Sequence, residues 1–162
     1  MVKRSHDHGR HPFDEAILAV RRVKPVPHEF VLEQIASLSP ITRPMFGCLA
    51  VYVGEKIVLI LRDKAKSRAD NGIWLATTAM HHESLRREFP RMRSIRVLGK
   101  GPTRWQLLPA DDPDFEAAAM RACKLILAGD SRIGKVPNAR ASRARLPLAQ
   151  RRRSIGRAER AK

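Results

Sequence analysis

The chain has 162 residues, of which 43% are hydrophobic and only 5% aromatic, and it carries a formal charge of +16. That length suits one domain with extensions better than two well-cored domains. No apolar run approaches the roughly eighteen residues that a membrane helix needs, which predicts a soluble chain with no membrane partner.

The charge is uneven. Residues 131–162 hold eleven Lys or Arg against the single acid Glu159, a net of +10, leaving +6 for residues 1–130. No signal peptide opens the sequence, so the chain is expected in the cytoplasm, with Cys48 and Cys123 reduced rather than bridged.

In chain order, residues 1–12 contain His6, Asp7, His8 and His11, all ordinary zinc or nickel ligands. A polar terminus with nothing to anchor it fixes no ligand geometry, so no metal site and no cofactor are assigned. Phe13, Ala16, Ile17 and Val20 fall at i, i+3, i+4 and i+7, which predicts a short amphipathic helix ending before Lys24-Pro25-Val26-Pro27. A second helical pattern runs from His28 to Leu38, with Phe30, Val31, Ile35 and Leu38 on one stripe, and Ser39-Pro40 ends it.

From Met45 to Arg62 the sequence is almost continuously apolar. Two β-branched runs, Met45–Val53 and Lys56–Leu61, flank Gly54-Glu55. Glycine first in a two-residue loop suits a type II′ turn, so a hairpin is predicted with Val53 opposite Lys56, Tyr52 opposite Ile57, Val51 opposite Val58 and Leu49 opposite Ile60. Both of its faces are apolar, which places it either centrally in a covered sheet or at a subunit contact.

Arg62 to Gly72 reads as a charged, exposed loop with a turn at Asn71-Gly72. Ile73–Ala76 is a third strand. Thr77 or Thr78 then caps a helix reaching about Phe89, on which His81 and His82 point about 100° apart and read as a solvent-facing pair. Ser94–Leu98 and Arg104–Leu108 form a second hairpin. Asp111-Asp112-Pro113 starts the last helix through an Asp cap and Pro in the first turn, with Phe115, Ala119, Ala122 and Ile126 as its buried stripe and Gly129 closing it. Cys123 adjoins that stripe and reads as core, since nothing in the spacing supplies a base or cation to activate it.

Gly129-Asp130-Ser131-Arg132-Ile133-Gly134-Lys135 has the glycine and lysine spacing of a phosphate-binding loop. It leaves a helix rather than a strand, and Val136-Pro137 stands where Ser or Thr should follow, so nucleotide binding is not assigned. Asp111 and Asp112 are explained by capping. No Gly-x-Ser-x-Gly, Cys-x-x-Cys or His-Glu-x-x-His occurs, and no catalytic residue is assigned.

Arg43-Pro44-Met45-Phe46-Gly47 followed by Tyr52-Val53-Gly54 resembles the TfoX/Sxy N-terminal domain family, in which a helix leads into an Arg-x-Met-Phe-Gly strand and a Tyr-bearing hairpin. Leu85-Arg86-Arg87-Glu88-Phe89-Pro90, with the Trp105 strand and a closing helix, is also similar to the YjbR-like (MmcQ/YjbR) group. The resemblance spans about residues 28–130. Cys48 and Ala50 stand where the TfoX-like pattern commonly has glycines, and its C-terminal domain is replaced by the basic tail. The resemblance implies a regulatory role and brings no catalytic residues with it.

The expected architecture is thus a YjbR/TfoX-like α+β domain at 28–130, an antiparallel sheet of about five strands flanked by helices. It follows an arm at 1–27 and precedes a disordered basic C-terminal tail at 131–162. The expected function is non-enzymatic binding of DNA or RNA through the tail arginines Arg140, Arg143, Arg145, Arg151, Arg152, Arg153, Arg157 and Arg160. Two alternatives stand beside it: a small-ligand or enzymatic pocket between the sheet and the last helix, and a homodimer formed through the apolar hairpin.

Overall fold

The computed structural model describes residues 24–137 apart from 100 and 102; the expected Phe13–Val20 helix, the histidine tract and every tail arginine named above lie outside the described residues. Six antiparallel strands form one sheet in the order β1-β2-β3-β4-β6-β5. They are β1 (Ile41–Met45), β2 (Cys48–Val53), β3 (Lys56–Arg62), β4 (Gly72–Ala76), β5 (Arg93–Ser94) and β6 (Trp105–Pro109). The helices are α1 (Phe30–Gln34), α2 (His82–Glu88) and α3 (Phe115–Leu127), so the fold is α+β.

One face of the sheet holds the main core. Val51, Leu59, Leu61, Leu75 and Leu108 pack there against Val31 and Ile35, Leu85 and Phe89, and Phe115, Ala119, Ala122, Cys123 and Ile126. The expected stripe of the last helix is thus the buried one. The other face gathers Cys48, Ala50, Ile57, Ile60, Trp74, Ala76, Ile95 and Leu107, and no described helix contributes to it. The two-sided hairpin is therefore central: β3 is buried along Ile57–Arg62.

The hairpin closes at Gly54-Glu55 with Val53 opposite Lys56 and Tyr52 opposite Ile57, as expected. Beyond that the register shifts, so Val51 faces Leu59, Ala50 faces Ile60 and Leu49 faces Leu61. Val58 is the extra residue, and it turns to the same side as Leu59. Such a bulge re-aims every later side chain, which a count from the turn cannot anticipate.

Ile41–Met45, ahead of the expected hairpin, is an edge strand paired from Ile41 opposite Tyr52 to Met45 opposite Cys48. Proline is tolerated there because an edge strand has one side with no ladder to feed. Met45-Phe46-Gly47 is accordingly not strand interior. Phe46 and Gly47 take φ of 52° and 70°, and they turn the chain from β1 into β2.

Asn71-Gly72 is not a turn either. The Asn71 side chain accepts the Lys64 amide hydrogen at 2.9 Å and closes the preceding loop, while Gly72 begins β4. A Cβ on Gly72 would lie 2.1 Å from the Leu108 carbonyl oxygen, so only glycine lets β4 approach β6 there. The last helix starts at Phe115, later than the aspartates suggest, because Asp112 Oδ1 accepts the Asp114 amide hydrogen at 3.0 Å and holds a turn ahead of it. It ends as expected at Gly129, where the Gly129 and Asp130 amides donate to Ile126 and Leu125.

Candidate nucleic-acid interface

Past α3 the chain stays packed on the sheet, beyond residue 130. β3 and β4 pair only from Leu59 opposite Leu75 to Arg62 opposite Gly72, which leaves Ile57 and Ala76 splayed apart. Residues 132–135 fill that gap. The Thr77 hydroxyl donates to the Arg132 carbonyl at 2.7 Å, the Gly134 amide donates to Ala76, and Ile57 and Lys135 exchange two backbone hydrogen bonds. Ile133 is buried on the helix side. The phosphate-loop spacing is thus spent on structure, with Gly129 ending a helix and Lys135 bridging to β3.

Successive strand pairings set out a transverse row: Ile41 beside Tyr52, Tyr52 beside Ile57, Ile57 beside Lys135, then Ala76 beside Trp105. This row lies on the helix-free face. Tyr52 and Trp105 are half-buried members of that face's cluster. The Lys135 ammonium sits 4.0 Å from the centre of the Trp105 ring, and the Arg43 guanidinium 5.2 Å from that of Tyr52. Burial pushes Lys135 down to about 8, and the charge of Arg104 adds to the shift. Among the described residues no carboxylate pairs with Arg43, Arg104 or Lys135, whereas Arg87, Arg91, Arg93, Arg121 and Arg132 each have one. Spacing alone gave no hint of this constellation. The one cue was Ile133 and Val136, apolar residues interrupting a basic run.

At the far end of the same face, Arg62 is 3% exposed and lies 5.7 Å over Trp74. It donates to the Ser67 carbonyl and hydroxyl at 3.0 Å each and reaches the Cys48 sulfur at 3.7 Å, while its Nε has no partner. Asp70, whose carbonyl accepts the Trp74 indole hydrogen at 2.8 Å, is also buried. Burial works against its charge, but the Arg96 amide, the Arg93 guanidinium and the Val97 amide outweigh that and hold the carboxyl below its ordinary value. The Ile95 amide still donates to the Trp105 carbonyl at 3.4 Å, and the bonds to Asp70 then draw Arg96 and Val97 off the sheet, which is why the strand does not run on through the expected Ser94–Leu98.

The expected histidine pair is not solvent-facing. His82 is 8% exposed and its Nε2 has no partner; burial, with Arg86 and His81 adding, holds its ring below the ordinary histidine value. Cys48 and Cys123 are both free and buried, on opposite faces of the sheet. Burial pushes the Cys123 thiol up to about 11, which fits a core residue.

A cavity of about 310 Å³ does open between the sheet and the last helix, floored by Phe89, Met92, Leu108 and Phe115. Four of its five charged lining residues are paired, Arg91 3.7 Å from Asp112 and Arg121 with Glu88, whose carboxyl that guanidinium holds below its usual range; the fifth is Asp114. Among the described residues there is no cluster of three or more potential metal ligands, and no helix is long and apolar enough to cross a membrane. No family model, no curated protein and no solved structure matches this chain.

Proposed function

We propose that this protein is a non-enzymatic nucleic-acid-binding module, regulatory in the manner of the TfoX-like domains its sequence resembles, and that it acts in the cytoplasm. The basic segment and the helix-free face of the sheet serve it as one contact surface. The observation that carries this reading is the docking of residues 132–135 beside Trp105. It roots the +10 segment on the face where Arg43, Arg104 and Lys135 have no carboxylate partner among the described residues. Arg140, Arg143, Arg145, Arg151, Arg152, Arg153, Arg157 and Arg160 follow directly in the sequence. Cations without acids beside them favour a polyanion, and phosphate contacts release condensed counterions.

The test is a salt titration of labelled duplex DNA against the full chain and against a full chain with those eight arginines changed to glutamine. On duplex DNA the slope changes by about 0.9 log units per log unit of salt for each phosphate contact. The parent is expected to show a steep slope that the substituted chain loses by several such units. Equal affinities and equal slopes sink the reading.

The cavity beside α3 supports the small-ligand alternative, but with Arg91, Asp112, Glu88 and Arg121 engaged with one another only Asp114 is left to orient a ligand, short of a convergent polar set. A dimer through the hairpin has less support, since β3 is buried within the domain along Ile57–Arg62 and Leu49, Tyr52 and Val53 are the apolar side chains that the hairpin strands leave partly open.

A further inference from the structure

We infer that the Lys135 ammonium, together with Arg104, receives a backbone phosphate of a single nucleic-acid strand whose bases lie against Trp105 and Tyr52. This rests on the reading above and names the strand type and the receiving residue.

The geometry supplies three reasons. Lys135 is a half-buried cation with no ion pair or side-chain hydrogen bond among the described residues, its ammonium 4.0 Å from the centre of the Trp105 ring. A charge taken partly out of water without a counterion is costly, so an arriving phosphate gains more there than at a solvated lysine. The charged groups around it are Arg104, on the approach to β6, and Lys56 of β3, whose side chain lies beside Gly134; both are basic. The local field therefore selects an anion. Finally, Trp105 and Tyr52 sit on the same transverse row, four strand steps of about 5 Å each apart, as half-buried rings that each carry a cation over one face. That combination suits unstacked bases of a single strand, whereas base pairs in a duplex keep their faces to themselves. The +10 segment contains no aromatic residue, so the sheet supplies what the segment lacks.

The inference carries a pH signature that arginine contacts do not. Lys135 titrates at about 8 in the free protein, and a bound phosphate favours the protonated amine. Binding therefore weakens as pH rises above that value, by at most about tenfold per pH unit. Arginine stays charged throughout and adds no such dependence.

The test measures binding of a short, mixed-sequence, single-stranded DNA at pH 7 and pH 9 and fixed ionic strength. It compares the full chain with Lys135→Arg, Lys135→Gln and the eight-arginine variant, each checked for native circular dichroism. The parent is expected to bind severalfold more weakly at pH 9. Lys135→Arg should bind well and lose the pH dependence, and Lys135→Gln should be weaker at pH 7 and equally insensitive to pH. A Lys135→Gln chain that keeps the parent's affinity and pH dependence overturns the inference. If binding is then abolished by the arginine changes alone, the functional reading survives without it; if the parent binds no nucleic acid at all, both fall. A duplex of the same sequence with an equal Lys135 dependence overturns the single-strand assignment.

Discussion

Ile57 and Lys135 exchange backbone hydrogen bonds of 3.0 Å in both directions, joining the start of the central strand to a segment that follows the last helix. This bridge makes residues 131–137 part of the fold. Ile133, 5% exposed, is its apolar anchor. Ile133→Ala should lower stability by about 2–4 kcal/mol in urea unfolding, the usual cost of truncating a buried isoleucine. An unchanged midpoint would show the segment to be an appendage.

Asp70 ties two loops together through Arg93 at 3.0 Å and the Arg96 and Val97 amides at 2.8 Å each. Asp70→Ala takes the carboxylate from the partly buried Arg93, leaving it the Ala69 and Ser94 carbonyls, and the acceptor from the Arg96 and Val97 amides, and should cost about 3 kcal/mol. Because the folded carboxyl sits below the ordinary 3.8, its stabilisation is present above that pH and is lost as pH falls through the folded value. Urea midpoints at pH 7 and pH 3 should therefore drop more for the parent than for Asp70→Asn. A parallel drop in both chains refutes the assignment.

Lys135 has the opposite kind of leverage. Its folded value of about 8 lies below the ordinary 10.5, so between those two the unfolded chain holds the extra proton. Raising pH across that window should stabilise the fold by at most about 1.4 kcal/mol per unit. Below the window the burial cost of the ammonium stands in full. Lys135→Met should be more stable than the parent at pH 7, and the gap should close by pH 10. Two urea curves that shift in parallel with pH would rule out desolvation as the cause.

Thiol labelling gives an independent check on the two faces of the sheet. Both cysteines should react once the chain is unfolded. In the native protein at pH 8, Cys123, whose thiol is pushed up to about 11, should stay unmodified. Rapid native labelling of Cys123 would contradict its place under α1, where its sulfur lies 3.9 Å from the Val31 carbonyl.

Leu59→Asp places a charge at a site with no exposure, in the middle of the sheet. A cost of several kcal/mol should abolish the cooperative melt. A melt like the parent's would move β3 out of the core.

The sequence by itself determined what local chemistry determines. The Gly54 turn, the buried stripe of the last helix, its Gly129 stop and the apolar character of both faces of β3 follow from periodicity and glycine placement, because those signals act within a few residues. Only the tertiary structure decided the rest, and in each case the deciding partner is distant in the chain. The bulge at Val58 lies beside Ile57, where a segment from the far end of the chain docks. The chain leaves the sheet past Ile95 because Asp70, from another loop, captures the Arg96 and Val97 amides. His82 is buried although its neighbour on the helix is less so, since burial depends on what packs over the helix and not on the angle between adjacent residues. Lys135, one cation in a basic run, becomes distinct only when the gap between β3 and β4 sets it over Trp105, with no carboxylate paired to it among the described residues.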